Sequence, residues 1–408
     1  MDSSSGGGVQ DLNRGCLIAR FRPPRDEHST FLAAVSRIAR RLPLVLAVGA
    51  VIVLYPAPAV ASAPTAIPTG PAYVTAITCP TETECVAFNE PGNVLAFDPL
   101  APATQDLVNL GGQVDISGDS QAQIGDLACA SATQCTAVGV VAPWTGGGQA
   151  LTFNPTSPTT APITATIGSG NVIACPSADQ CTAVGMSPCP SNADACKDPG
   201  NQEVTFDPNA PADPQPVALP VGNQGAQAMS CPTVSQCTVA YETCPDSNAS
   251  CTGGAVTFNP TAPDQVTRVT FSAQPHDISC PTVDECVIAG DAAAVVFNPT
   301  EPATHVTAIG PDRAFDSGRF RGLSYLACFA SSECTAEGAY LVGTGVREHT
   351  ISLLANFDPR AHRKLMLFRS NVPVTGDSLL AGLACASPHQ CTAVDNGYEQ
   401  TFDPRQRR

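Results

Sequence analysis

The segment Cys175–Gly185, CPSADQCTAVG, carries two cysteines separated by five residues, and the same interval returns six more times along the chain. The pairs are Cys79/Cys85, Cys129/Cys135, Cys175/Cys181, Cys231/Cys237, Cys280/Cys286, Cys328/Cys334 and Cys385/Cys391, and successive units lie 46 to 57 residues apart. A tandem period of this length, with room for four short strands in each unit, is the pattern of propeller blades. No other feature of the sequence restricts the fold as strongly.

Inside each unit the residue before the first cysteine is small (Thr78, Ala128, Ala174, Ser230, Ser279, Ala327, Ala384). The one before that is bulky (Ile77, Leu127, Ile173, Met229, Ile278, Leu326, Leu383). A strand with one small and one large face packs between two others, as the innermost strand of a blade must. The third strand ends in a second recurring phrase, AFDP, TFNP or a relative, which supplies Phe97, Phe153, Phe206, Phe258, Phe297, Phe357 and Phe402. The Asp-Pro or Asn-Pro step that follows starts a tight turn, because the side chain caps its own backbone while proline sets φ. Between the cysteines, six of the seven units place Ser or Thr three residues before Glu or Gln, as in Thr81/Glu84 and Ser177/Gln180. That is capping-box spacing, and it predicts a loop with a single helical turn, closed at its two ends by the cysteines.

The seventh unit stops after Phe402-Asp403-Pro404, so its fourth strand is missing, while Pro64–Ile67 has no counterpart in the other units. The N-terminal piece is therefore expected to complete the last blade and remove the exposed edges between first and last units. The expected fold is all-β: a seven-bladed β-propeller with four antiparallel strands per blade and one hairpin disulfide in each.

Nineteen cysteines in 408 residues point to an oxidising compartment. Ahead of the repeats, Arg37, Arg40 and Arg41 precede the apolar run Leu42–Tyr55, and Ala59-Val60-Ala61 offers a small-x-small cleavage site. Residues 1–61 thus read as an extension plus signal peptide and residues 62–408 as the propeller. The apolar run is short for a bilayer span, although PAPAVA extends it to the length of a marginal anchor. The 34 residues ahead of Val35 make an unusual prelude to a signal peptide and raise the question of a later translation start. Removing residues 1–61 leaves 13 of the 20 Lys and Arg and 32 of the 36 Asp and Glu, a net charge of −19. From Ser62 to Gln265 the only base is Lys197 against 17 acids. Such a surface argues against nucleic acid or anionic membrane as a partner, since both require clustered cations.

An even 18 cysteines remain after residue 61, which suits complete pairing. Besides the seven repeat pairs, Cys189/Cys196 and Cys244/Cys251 are expected to staple insertions between second and third strands. Zinc ligation is the competing account of such pairs, but its usual spacing is tighter and exported thiolates oxidise. No cofactor or metal site is expected.

The tandem phrase CPSxxxCTAVG resembles the repeats of secreted β-propeller proteins of high-GC actinobacteria, whose layout is similar to sialidase-type and photosystem-assembly-factor propellers. The resemblance covers residues 62–408 and implies architecture more than activity. The sialidase Asp box, S-x-D-x-G-x-x-W, is absent, and Trp144 is the only tryptophan.

Binding residues usually sit on variable loops over a rigid scaffold. The loops between second and third strands vary most in length, and their candidates are Trp144, Lys197, Tyr241, Asp246, Tyr340, Arg347, His349 and Tyr398. Arg313, Arg319 and Arg321 cluster in one connection between blades and suit a carboxylate or phosphate, or a salt bridge within the acidic protein. Asp126, Asp277 and Tyr325 stand three residues before the first cysteine, where the other units carry Ala, Val or Gly. Two carboxylates and a phenol at a channel mouth fit either an acid/base site or wetted rim residues. No G-x-S-x-G, H-E-x-x-H, Walker or EF-hand motif is present. The expected function is that of an exported, monomeric scaffold, more a binder than an enzyme, with an extracellular or cell-envelope protein or glycan as its partner. The alternative is a polysaccharide hydrolase or lyase with an acidic site at the channel mouth.

Overall fold

The computed structural model describes residues 65–66, 74–89, 93–101, 105–109, 123–140, 148–157, 163–167, 171–186, 201–210, 214–222, 225–244, 251–301, 306–311, 319–343, 349–361, 365–369, 381–395 and 398–406. They form seven four-stranded antiparallel sheets. The inner strands are Val74–Thr81 in blade 1, Gln123–Ser131 in blade 2, Val172–Ser177 in blade 3 and Ala226–Thr233 in blade 4. Pro275–Thr282, Arg319–Ala330 and Gly382–Ser387 open blades 5, 6 and 7. Blade 7 takes its outer strand from Thr65–Ala66, which pairs with Glu399 and Tyr398, so the two ends of the ring share one sheet as the repeat pattern requires.

The core is divided among the seven seams. Each seam holds one apolar cluster that combines residues of two neighbouring blades. Between blades 1 and 2, for example, Val86, Phe88 and Val94 meet Leu127, Cys135, Ala137, Leu151 and Phe153. The large residue of the inner strand and the repeat phenylalanine both point back at the preceding blade, which is why the small–large alternation and the AFDP phrase recur together. The seven phenylalanines are all buried.

Seven of the expected cysteine pairs are the hairpin disulfides, and Cys244–Cys251 is bonded as well. Cys189 and Cys196 fall outside the described residues, as do residues 1–61 with their signal-peptide features.

The helical turns predicted between the cysteines do not form. Both strands run through the disulfide to a two-residue hairpin turn, so that Thr81 pairs with Glu84, Ser177 with Gln180 and Thr282 with Glu285. A capping box and a hairpin place the same residue types three apart, and here the short loop gains more from ladder bonds on both strands. The hydroxyl takes a backbone amide two residues on, as Ser131 Oγ does from Thr133 at 3.3 Å. The glutamine reaches forward across the seam: Gln134 Nε2 donates to the Ala178 carbonyl of the next blade at 2.8 Å.

The hairpin geometry also sets the depth of the bridges. The bridges form as expected within each sheet, and Cys85, Cys135, Cys181, Cys237, Cys286, Cys334 and Cys391 are buried core residues, each 1% exposed or less. The register gives the reason. Each of them stands in a second strand directly opposite the repeat phenylalanine of the third, from Cys85 facing Phe97 to Cys391 facing Phe402, so both side chains turn into the same seam.

The threonine of CTAVG also has a place at the seam. Its hydroxyl shares a hydrogen bond with a third-strand threonine, 2.9 Å between Thr136 and Thr152, Thr238 and Thr257, and Thr392 and Thr401. It lies 3.7 Å from the buried cysteine sulfur of the next blade, in Thr136/Cys181, Thr238/Cys286 and, across the closing seam, Thr392/Cys85.

The borrowed outer strand gives a direct test of ring closure. Deleting residues up to Ile67 exposes the edge of Tyr398–Phe402, so the truncated protein should melt at lower temperature and self-associate, as scanning calorimetry and size-exclusion chromatography would show.

Candidate functional site

The N-terminal halves of the inner strands surround a cavity of about 300 Å³ to which all seven blades contribute. Its polar lining comes from Asp126, Asn171, Gln227, His276, Asp277 and Tyr325, all three or four residues before the first cysteine. The backbone explains this concentration. In blade 4 the pairing steps from Ala226/Tyr241 to Ala228/Ala240 and passes over Gln227; in blade 5 it passes over His276 and in blade 6 over Ser324. Such a bulge adds one residue to the inner strand and re-aims its side chain. Blade 2 bulges at Gly125, where a Cβ would stand 2.6 Å from the Asn171 carbonyl of blade 3, so only glycine lets these two strands approach.

The two aspartates share one geometry. Asp126 Oδ1 accepts the Leu127 amide at 2.8 Å, and its Oδ2 accepts the Ile173 amide of blade 3 at 3.0 Å. Asp277 repeats this with Ile278 at 2.7 Å and with Leu326 of blade 6 at 2.7 Å. Each carboxylate therefore ties its own inner strand to the next one. Serines make ties of the same kind farther along the inner strands: Ser230 Oγ accepts the Cys280 amide at 3.0 Å, and Ser279 Oγ accepts the Cys328 amide at 3.1 Å.

Electrostatics at the site follow from burial. Both carboxyls touch the narrow channel yet are enclosed by protein. This desolvation pushes Asp126 up to about 6 against the pull of the Ile173 and Leu127 amides. It takes Asp277 to about 7 against Leu326 and Ile278, with the charge of Asp126 adding to the rise. Burial, reinforced by Glu337, Asp277 and Asp395, raises the Tyr325 phenol well above its ordinary value, so it stays a neutral hydrogen-bond donor. His276 Nε2 meets Asp291 Oδ1 at 2.6 Å, which anchors the imidazole to the short loop of its own blade. The site thus presents donors and acceptors fixed on a stiff ring, and its two carboxylates are already engaged by backbone amides.

The residues singled out from the loops separate into several groups. Tyr241 and Tyr340 are not loop residues: they continue the second strands Gln236–Thr243 and Glu333–Val342, with relative exposures of 7% and 2%. These strands are longer than their counterparts, and the alternation that buries Val239 or Gly338 carries on through the tyrosines; Tyr340 packs on Phe320 with ring centroids 5.4 Å apart. Arg319 and Arg321 lie in the inner strand of blade 6, not in the connection before it, and both are exposed. His349 opens a third strand and is exposed, whereas Tyr398 is partly buried beside Leu354, Leu383 and Phe402. Trp144, Lys197, Asp246, Arg313 and Arg347 fall outside the described residues. Asn171, Gln227 and His276 were missed from sequence, although aligning the position four before the cysteine, one step beyond the aspartates, displays all three. One group with metal-like spacing, Glu242 with Cys244 and Cys251, has its two sulfurs joined in a disulfide and so offers no thiolates.

No protein-family model matches the chain, and no curated protein matches it in sequence. Solved structures do. The chain is similar to U3-55K (9% identity, 83% of this chain and 98% of that one, TM-score 0.57). It is also similar to YCF48 from Cyanidioschyzon merolae (11% identity, 85% and 100% covered, TM-score 0.55) and to YCF48 bound to D1 peptide (12%, 83% and 96%, 0.53). At such identities the likeness establishes the propeller fold and nothing finer.

The raised carboxyls set a pH dependence. Asp126, Asp277 and the buried Glu203, which burial lifts to about 7 against its bond from Thr205, hold protons more tightly in the folded chain than in the unfolded one. Their stabilisation is complete below the ordinary carboxylate range and is lost as pH rises through about 6 to 7. The melting temperature should therefore fall between pH 5 and pH 8, and the double variant Asp126→Asn/Asp277→Asn should flatten that slope in calorimetry.

Proposed function

We propose that this chain is an exported scaffold module that binds a segment of an extracellular or cell-envelope protein, or a glycan, at the mouth of its central channel. The observation that carries this reading is the polar ring of Asn171, Gln227, His276 and Tyr325 around a cavity of about 300 Å³ to which all seven blades contribute, with bulges in the inner strands of blades 4, 5 and 6. Rigid hydrogen-bonding groups at a concave site favour recognition, because little ordering cost is left to meet on binding. The eight described disulfides support an oxidising location, and with it the reading of residues 1–61 as an export segment. Among similar folds, one of the YCF48 structures is a complex with a peptide, which is in keeping with a propeller serving as a protein-binding platform.

The hydrolase or lyase reading draws less support. A general acid or base needs a carboxyl free to exchange a proton with substrate, whereas Asp126 and Asp277 each spend both oxygens on backbone amides of two blades. Their role on this account is to fix the ring that displays the other groups.

Glycan and envelope-protein arrays probed with wild-type protein and with the Asn171→Ala/Gln227→Ala/Tyr325→Phe variant test the proposal. Binding should weaken by about tenfold or more, at roughly 1 kcal/mol for each lost hydrogen bond, in a protein whose folding is verified by calorimetry. Equal binding by both proteins would remove the channel mouth from consideration. In the same assay Asp277→Asn should lower the melting temperature without creating or abolishing any turnover of polysaccharide.

A further inference from the structure

On the face opposite the channel mouth, the residue before each second cysteine reads the next blade. At four seams it is a glutamine whose Nε2 donates to the carbonyl at the neighbouring hairpin tip: Gln134 to Ala178, Gln180 to Val234 and Gln236 to Val283, each at 2.8 Å, and Gln390 to Glu82 at 2.5 Å. At two seams it is a glutamate, and there the next blade carries an arginine just after its Asp-Pro step. Arg360 Nε donates to Glu285 Oε2 at 2.7 Å, while Arg405 makes a two-pronged contact with Glu333, its Nη2 2.5 Å from Oε2. A glutamate cannot donate as glutamine does, and the guanidinium resolves the conflict.

The remaining seam, between blades 1 and 2, breaks the rule. It has the glutamate, Glu84, but the residue after the Asn-Pro step of blade 2 is Thr156, whose amide and hydroxyl are both spent on Asn154 Oδ1 at 2.9 and 2.8 Å. Glu84 Oε1 is buried without a hydrogen-bond partner, as is Glu285 Oε1 behind the oxygen that takes Arg360. The chain has no arginine at all from Ser62 to Gln265, and its one lysine there is Lys197. Beside the seam, Glu82 is exposed at the hairpin tip. Burial raises the carboxyl of Glu84, and among the described residues no cation pairs with it.

We propose that the seam between blades 1 and 2 is a docking site for an arginine side chain of a protein partner, whose guanidinium takes at Glu84 the position that Arg360 and Arg405 take within this chain at Glu285 and Glu333. The site is a shallow one, since the Arg360 side chain remains 59% exposed in the equivalent seat. It therefore contributes orientation and charge selection within a larger contact and does not enclose a small molecule. The acidic half of the ring, blades 1 to 4, supplies the complementary field for a basic segment. This site lies apart from the channel mouth and stands or falls separately from it.

The test supplies the arginine in cis. Thr156→Arg in the full-length protein should raise the melting temperature by about 1–2 °C, the scale of a partly exposed ion pair, and Glu84→Gln should abolish that gain. In carboxyl 13C NMR the Glu84 resonance, assigned by its loss in Glu84→Gln, should shift on adding acetyl-arginine amide at millimolar concentration. It should not shift with the neutral citrulline analogue, nor in the Thr156→Arg protein. A peptide carrying two arginines in an alanine background should bind more tightly than the single residue. The proposal is overturned if Thr156→Arg gives no Glu84-dependent gain, or if citrulline and arginine act alike. Saturation by acetyl-arginine amide at micromolar concentration would also overturn it, because the seat would then be a small-molecule site.

Discussion

The contact between one blade's inner hairpin and the flank of the blade before it is the interaction on which the molecule rests. It combines three layers: an apolar wedge such as Leu127 with Phe153 between blades 1 and 2, a disulfide set against a threonine pair, and polar cross-links at both ends of the inner strand. Among the described residues every apolar cluster draws on two blades, so no sheet is held by a core of its own there. Stability is thus a nearest-neighbour property, and the strand Thr65–Ala66 matters because it lets the last neighbour pair form as the others do.

A uniform seam also explains where polarity can be tolerated. The inner strands crowd toward the axis, and their amides at the bulges must find acceptors. Asp126 and Asp277 meet that need twice, each joining an amide of its own strand to one of the next. From sequence these two residues fit an acid/base site or a wetted channel rim; in structure they are a pair of clamps. The other polar groups facing the channel are amides, an imidazole and a phenol.

Much of the architecture was legible because the repeat samples each position seven times. The cysteine interval, the small–large alternation and the phenylalanine before Asp-Pro or Asn-Pro each had a single physical reading once aligned. The loop between the cysteines did not, since Thr81 and Glu84 satisfy the spacing of a helix cap and of a two-residue hairpin equally well, and only the cross-strand ladder decides between them. The same ladder decides the depth of the bridges, because continuing the second strand through Cys85 or Cys181 sets that sulfur opposite a buried phenylalanine. Tyr241 and Tyr340 were misplaced because repeats predict where strands begin better than where an individual one ends; blades 4 and 6 extend theirs and bury the tyrosines. The channel groups Gln227 and His276 hid behind bulges, which shift the inward phase by one residue and so defeat a strict period of two.

Five of the hairpin disulfides are asymmetric in exposure: the second cysteine is sealed in its seam, while the first, at Cys129, Cys175, Cys231, Cys328 and Cys385, is half-buried. At these five, a thiolate reductant approaching the intact ring meets the half-buried cysteine first, and the sulfur it must then expel is the sealed one. That departing thiolate would bear its charge inside an apolar seam, where it is a poor leaving group. The bridges are therefore shielded by chemistry as well as by access, and the rate at which reductant cuts them becomes a clock for how often neighbouring blades part.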